Sequence, residues 1–305
     1  PESAGGEHGN RIIYILPAVV LYGGIISALQ VVNQLVLRGF NANVVTYGPI
    51  DEEVYKLFPT YFKPYSFPDK AAMVADFPDC DLVVATQWET VYPAVLLSHL
   101  RPDLRLAYYV QDFEPDFYGP DHPDLAAKAD RTYSMIEHQI VKTRWLKRTI
   151  EGYGGTIHRI PLGLNLDFYH DYGQERPPQV LALARPSSKR RNFEMVKKVY
   201  AELHRRRPDI ALALYGVGYE TEPLPFPINS YGKLTDFRDV ARALNESTVL
   251  LDCSTFQGFG RPGLEAMACG AAAVLTCEGG ITQYAKHEHN CLLIDPDNQA
   301  DIVSK

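Results

Sequence analysis

Residues 248–276 read TVLLDCSTFQGFGRPGLEAMACGAAAVLT. Thr248–Asp252 is a short apolar run of strand length, Ser254–Gly260 is rich in turn residues, Pro262–Cys269 is helical in character, and Ala272–Thr276 is apolar again. Pro262 suits a first helical turn, where its missing N–H costs nothing. A strand, a glycine loop, a helix and a second strand in so short a span make one parallel crossover unit.

The same alternation continues outward. Strands are expected at Gln179–Ala184, Ile210–Tyr215 and Cys291–Ile294, with helices at Asn192–Arg206, Thr235–Asn245 and from Gln299 onward. Nearer the start, strands are expected at Arg11–Leu16, Asn43–Tyr47, Asp81–Thr86, Leu104–Val110, Gln139–Lys142 and Ile157–Ile160. Helices are expected at Ile25–Leu37, from about Thr90 to Leu100, and at Arg144–Glu151. Residues 163–178 are polar, carry Gly163, Gly173, Pro177 and Pro178, and break the rhythm. The expected fold class is therefore α/β. Two doubly wound, Rossmann-like parallel-sheet domains, 1–162 and 179–305, would face each other across a cleft, with 163–178 as the linker. Ligands in such sheets bind at the carboxyl ends of strands.

Composition narrows the function. The chain has 305 residues, 46% of them apolar, and a net charge of −7, which disfavours a partner bound by phosphate neutralisation, so no nucleic acid is expected. The 5 cysteines are scattered and none forms a C-x-x-C pair. That argues against a disulfide scaffold and a structural zinc site and for a reducing, cytoplasmic compartment. Ile12–Leu37 is free of charge and long enough to suggest a membrane span, but Pro17 and Gly23-Gly24 interrupt it. The chain starts at Pro1 and stops at Lys305 inside an expected helix, so both ends read as incomplete.

Four constellations carry candidate chemistry. Gly23-Gly24 precedes a helix, where free N–H groups suit an anion; a tight turn explains it equally well. Arg185, Lys189, Arg190 and Arg191 follow a strand and are suited to a diphosphate, unless they form a solvated basic loop. In the third, Gly258, Gly260 and Gly263 would let the backbone approach a ligand. Glu265, one turn into the helix, would accept bonds from vicinal hydroxyls or merely favour the helix dipole. Gln257 precedes Glu265 on the loop, and its amide both donates and accepts. The fourth is Gln111-Asp112-Phe113-Glu114-Pro115-Asp116, where Asp112 or Glu114 would orient a substrate hydroxyl or take its proton, the alternative being a capped, solvated turn. Trp88 and Glu89 would wall the same site, the aromatic ring offering a flat apolar face. Asp79-Cys80-Asp81 matches a D-x-D metal motif but precedes its strand, at the wrong end for a ligand, and His287 and His289 form no metal pattern.

The spacing Gln257-x7-Glu265 within QGFGRPGLEAMACG resembles the E-x7-E segment of the retaining glycosyltransferases of family 4 (group 1), which have the GT-B fold. Gly23–Gly39, Ile160–Tyr169, ALARPSSKRRN, INSYGKL (Ile228–Leu234) and CEGGITQY (Cys277–Tyr284) resemble further family segments in order and spacing. TQWET (Thr86–Thr90), YVQDFEPDFY (Tyr109–Tyr118) and VKTRWLKRTI resemble the rhamnosyltransferase-like branch.

The resemblance implies transfer of a hexose, rhamnose in that branch, from a nucleoside-diphosphate sugar to a carbohydrate acceptor with retention and without a metal or other cofactor. It implies Glu265 on the ribose, Arg185 with Lys189 or Arg190 on the diphosphate, and backbone at Tyr231, Gly232, Lys233 and Leu234 against the base. It further implies Gly23, Gly24, Gly258, Phe259, Gly260, Gly263 and Leu264 around the donor, and Gln257 on the donor sugar, where the family usually has Glu. Trp88, Glu89 and Gln111 would face the acceptor, with Asp112 and Glu114 near the reacting hydroxyl. A lipid-linked saccharide acceptor and peripheral membrane association are compatible with this, although no basic amphipathic helix argues for them. The alternatives are a nucleotide-sugar epimerase or hydrolase of the same fold, and a two-domain sugar-binding protein.

Overall fold

Five-residue apolar runs such as Ile12–Leu16 and Ala272–Thr276 are too short for helices and are covered on both faces, so they form parallel strands. The computed structural model describes residues 11–57 and 60–305. Contacts divide it into two units: the first runs to Ile160 without Thr143–Leu146, and the second comprises Thr143–Leu146 and Pro161–Lys305.

The first unit holds β1 (Ile12–Leu16), β2 (Ala42–Thr46), β3 (Tyr65–Ser66), β4 (Leu82–Ala85), β5 (Arg105–Val110), β6 (His138–Val141) and β7 (Thr156–Arg159), in the order β3-β2-β1-β4-β5-β6-β7. Every pairing is parallel. The second unit holds β8 (Gln179–Ala184), β9 (Ala211–Gly216), β10 (Asn229–Gly232), β11 (Val249–Asp252), β12 (Ala272–Thr276) and β13 (Leu292–Ile294). Their order is β10-β9-β8-β11-β12-β13, again all parallel.

Alternation along the second sheet separates two cores. Leu181, Ala213 and Tyr215 join one, with Leu244, Ala266 and Ile281; Ala182, Ala184, Leu212 and Leu214 join the other, with Val196, Val199 and Tyr200. In both sheets the winding direction reverses beside the first strand, between β1 and β4 and between β8 and β11. In doubly wound sheets such a reversal is where neighbouring loops diverge and ligands bind.

Two strands and three helices escaped the sequence reading. β3 and β10 lie at sheet edges with one neighbour each and carry no apolar run. The helices are Val54–Leu57, Lys70–Ala75 and Pro123–Arg131, all short, and Asp69 caps the second by accepting the Ala72 N–H at 2.8 Å.

The expected linker is not a free connection, because the structure groups Pro161–Pro178 with the second unit. Tyr169 is 2% exposed and packs into the core with Leu181 and Leu244. Asn245 Oδ1 accepts the Tyr172 N–H at 2.9 Å, and Asn245 Nδ2 donates to His170 O at 3.0 Å. Arg176 donates to Ser247 O at 3.3 Å and to Cys269 O, and pairs with Asp171 at 2.7 Å. Polar and glycine-rich composition signals a lack of regular structure, not a lack of packing. Among the described residues no helix is long and apolar enough to cross a membrane.

Candidate functional site

The second unit gathers its candidates at the carboxyl ends of β8, β11 and β12. After β8, the Ser188 N–H donates to Arg185 O at 3.0 Å and a 3-10 turn spans Lys189–Arg191. Asn192 adopts a left-handed conformation (φ 50°) before the Phe193–Arg206 helix. This turn is stitched to the loop after β11. The Thr255 N–H donates to Arg190 O at 2.9 Å, and the Arg190 guanidinium lies 5.3 Å from the centroid of the Phe256 ring. Arg185 and Arg190 are half-buried and Lys189 is exposed. Burial first, then the Glu265 charge, pushes the Tyr215 phenol above its ordinary pKa, while Arg191 and Arg185 oppose the shift. Tyr215 therefore lies within electrostatic reach of both the cationic turn and Glu265.

Glu265 lies in the Arg261–Ala268 helix, 7% exposed, with Arg261 Nε 3.1 Å from its Oε1. The Tyr169 hydroxyl also bonds to Glu265, and burial followed by the Glu265 charge raises the Tyr169 phenol. Tyr169 was not singled out in the sequence; its only signal was its place in a segment that resembles a family motif.

Gln257 is 3% exposed and its Nε2 donates to Asp252 Oδ2 at 2.6 Å and to Ser254 Oγ at 3.2 Å. The loops after β11 and β12 meet backbone to backbone: the Gly280 N–H donates to Gln257 O at 2.6 Å. A Cβ at Gly279 (φ +91°) would collide with Gln257 O, and one at Gly280 with Gly258 O, so neither position admits a side chain.

Two of the glycines expected around a ligand also sit in tight packing. A Cβ at Gly263 would meet Leu275 and the Tyr284 hydroxyl, each at 2.8 Å, and one at Gly260 would meet Ile281 at 2.9 Å. The Tyr284 hydroxyl donates to Gly260 O and accepts a backbone bond from Leu264. Phe259 is 8% exposed, its ring 5.6 Å from that of Tyr284.

In the segment expected to meet the base, the Tyr231 hydroxyl donates to Glu246 Oε2 at 2.7 Å and accepts from Gln179 Nε2 at 3.1 Å. Gln179 opens β8, so the Tyr231 ring points toward the amino end of the sheet. Gly232 N–H donates to the Tyr219 hydroxyl at 2.9 Å, Lys233 is exposed, and Leu234 packs on the core.

In the first unit the Gly23–Leu37 helix starts at Gly23 itself. A Cβ at Gly24 would lie 3.3 Å from Gln111 Nε2, which donates to Thr86 O at 3.2 Å. Gln111 Oε1 accepts from Lys142 Nζ at 2.7 Å, and Lys142 is 5% exposed, 5.1 Å above the Tyr109 ring. Sequence reasoning missed Lys142, whose signal is a cation directly after the apolar run of β6. Gln111 is thus committed to the domain's own polar groups.

Glu114 and Trp88 were expected to face a substrate, and the structure corrects both. Glu114 is 4% exposed; its Oε2 accepts the Trp88 N–H at 2.6 Å and the Tyr108 hydroxyl at 3.0 Å. It therefore caps the start of the Trp88–Leu100 helix. Burial pushes its pKa up to about 8 against the lowering effect of those bonds. Trp88 is 6% exposed and its indole N–H donates to the Tyr118 hydroxyl at 2.7 Å, so neither ring face is open to a sugar. Asp112 Oδ1 accepts its neighbour's Phe113 N–H at 3.1 Å, and Glu89 lies 3.7 Å from Lys70 Nζ. Asp79 and Asp81 bind Arg11, and among the described residues no group of three or more His, Cys, Asp or Glu could hold a metal ion.

Residues 177–305 match the family model described as Glycosyl transferases group 1. The second unit thus resembles the group 1 glycosyltransferases over most of its length. Over 232 residues the chain is 29% identical to the O-antigen biosynthesis protein RfbC of Myxococcus xanthus, a match covering 73% of the chain and 18% of RfbC. It is 24% identical over 247 residues to the UDP-N-acetylglucosamine–peptide N-acetylglucosaminyltransferase GtfA subunit of Streptococcus pneumoniae, covering 72% of the chain and 46% of that subunit. The chain thus spans less than half the length of these curated relatives. Among solved structures, Anabaena HepE in complex with UDP and glucose superposes with a TM-score of 0.78 at 15% identity, covering 97% of this chain and 88% of HepE. Sucrose-phosphate synthase from Thermosynechococcus elongatus gives 0.77 at 14%, with the same coverage. The fold of the chain is GT-B, with one Rossmann-like sheet in each unit.

Proposed function

We propose that this chain is a retaining, metal-independent hexosyltransferase that uses a nucleoside-diphosphate sugar and a saccharide acceptor. The observation that carries the reading is the placement of the Arg185–Arg191 turn and the buried Glu265 both within electrostatic reach of Tyr215 at the carboxyl end of β9, inside the segment that matches the group 1 model. Glu265 accepts bonds from the ribose hydroxyls. Arg185, with Lys189 or Arg190, holds the diphosphate and stabilises the charge that develops as it leaves, the largest effect assigned to the protein. The bond from the anomeric carbon to phosphate breaks while the bond to the acceptor oxygen forms on the same face. The acceptor's proton passes to the departing phosphate.

HepE was crystallised with UDP and glucose, which makes UDP the first base to test and a hexose the first sugar. The likeness to RfbC, named for O-antigen biosynthesis, supports a surface-polysaccharide saccharide as acceptor. Rhamnose is the hexose that the resemblances at Thr86–Thr90 and Tyr109–Tyr118 favour.

The test is calorimetry of UDP, GDP, dTDP and ADP in EDTA. One nucleotide should bind the native chain and bind about tenfold or more weakly to Glu265→Ala and Arg185→Ala. Absence of binding by every nucleotide, or equal binding by both variants, would overturn the reading. Product analysis with and without an oligosaccharide acceptor separates transfer from hydrolysis or epimerisation.

A further inference from the structure

β11 ends on a carboxylate. Asp252 is 9% exposed, at the point where the chain leaves the sheet for the glycine loop. Its two oxygens have different partners: Oδ1 accepts the Ser254 N–H at 3.0 Å and Oδ2 accepts from Gln257 Nε2 at 2.6 Å. Gln257 Nε2 also reaches Ser254 Oγ at 3.2 Å, which occupies the second hydrogen of the amide. Among the described residues no group donates to Gln257 Oε1, and that atom is not sealed inside the protein. The orientation of the amide follows from chemistry, because a carboxylate can face only the nitrogen end.

We propose that Asp252 is a positioning residue that locks the Gln257 amide with its carbonyl oxygen outward, so that the site offers a hydrogen-bond acceptor to a donor-sugar hydroxyl. The inference rests on the donor-site reading above and adds to it the sense of the bond that selects the sugar. Asp252 and Gln257 act as a pair: one member must be a carboxylate and the other an amide.

The pair can be inverted. In Asp252→Asn the fixed Ser254 N–H keeps the Asn oxygen, so the Asn NH2 confronts the Gln257 NH2. Gln257 must flip, and the site then presents a donor. In Gln257→Glu two carboxylates meet across the 2.6 Å contact and repel. In the double variant the introduced Asn NH2 donates to the introduced carboxylate. The Ser254 hydroxyl turns to donate to it as well, and its second oxygen again faces outward as an acceptor.

Two measurements test this on the 305-residue chain. In the ligand-free protein, the side-chain amide signals of Gln257, assigned by their loss in Gln257→Glu, should move in Asp252→Asn. Unchanged signals would overturn the lock, and this result does not depend on any nucleotide binding. In titrations, the nucleoside diphosphate selected above should bind native chain, Asp252→Asn and the double variant alike. Its glucose conjugate should bind Asp252→Asn about tenfold more weakly than native and recover most of that loss in the double variant. A double variant no better than its parents would overturn the proposal, since a merely structural Asp252 gives no rescue by a second change. Equal binding of the conjugate by native chain and Asp252→Asn would do the same. If either single variant fails to fold, the double variant alone decides: native-like discrimination between diphosphate and conjugate supports the pairing, and its absence overturns it.

Discussion

The loops after β5 and β11 both leave a central strand at its carboxyl end, and both lead to a buried glutamate, yet the two carboxylates have opposite surroundings. Glu114 is 4% exposed among Trp88, Tyr108 and Tyr133, with Asp112 and Glu89 as its charged neighbours. Glu265 is 7% exposed with Arg261 at 3.1 Å. Exposure hardly separates them; the sign of the neighbour does. Burial first, with the neighbouring acids adding to it, keeps the proton on Glu114, which serves as a structural acceptor and cap, whereas Glu265 has a guanidinium within hydrogen-bond distance.

The largest effect should come from the second loop's neighbourhood. Arg185→Ala should lower kcat/KM for donor turnover by about 10²–10³-fold, as expected when a charged stabiliser of the leaving group is lost, measured by steady-state kinetics. A loss under tenfold would remove the contrast between the two regions. In the first loop the damage should be to folding. Glu114→Ala leaves the Trp88 N–H and Tyr108 hydroxyl without their acceptor and should cost about 2–4 kcal/mol in urea unfolding.

The pH dependence sharpens the point. Glu114 is raised from 4.5 to about 8, so between those values the folded protein holds a proton that the unfolded chain has released. Its stabilisation is complete below pH 4.5 and is lost as pH rises toward 8, at up to ~1.4 kcal/mol per pH unit. Glu114→Gln should flatten that stretch of the stability profile; a profile that kept its slope would show that the carboxyl is not the titrating group. The smallest effect belongs to Asp79, whose ion pair with Arg11 is exposed: Asp79→Asn should change stability by less than about 0.5 kcal/mol.

Much of the fold was legible because each buried strand carries its own apolar run. β8 and β12 were found at their observed ends, and most other core strands within a residue or two. The edge strands β3 and β10 were not, since an edge needs only one neighbour and little apolar surface. At the site, the basic turn and Glu265 were legible as charged residues beside glycine loops. The inward turn of Glu114 and Trp88 was not, because the sequence reports which side chains follow a strand but not which way they face. Asp252 looked like the end of a strand, and only its bonds to Gln257 and Ser254 give it a role.

The packing of Pro161–Pro178 bears on how this chain can be recombined with a relative. Tyr169 fills the core of the second unit and bonds to Glu265, while Arg176 clasps Ser247 and Cys269. A chimera joined at residue 178 would separate the second sheet from its own strap and replace the tyrosine beside Glu265 with a stranger's. A junction before Pro161 carries the strap along, so the inherited packing unit begins well ahead of the first strand of its sheet.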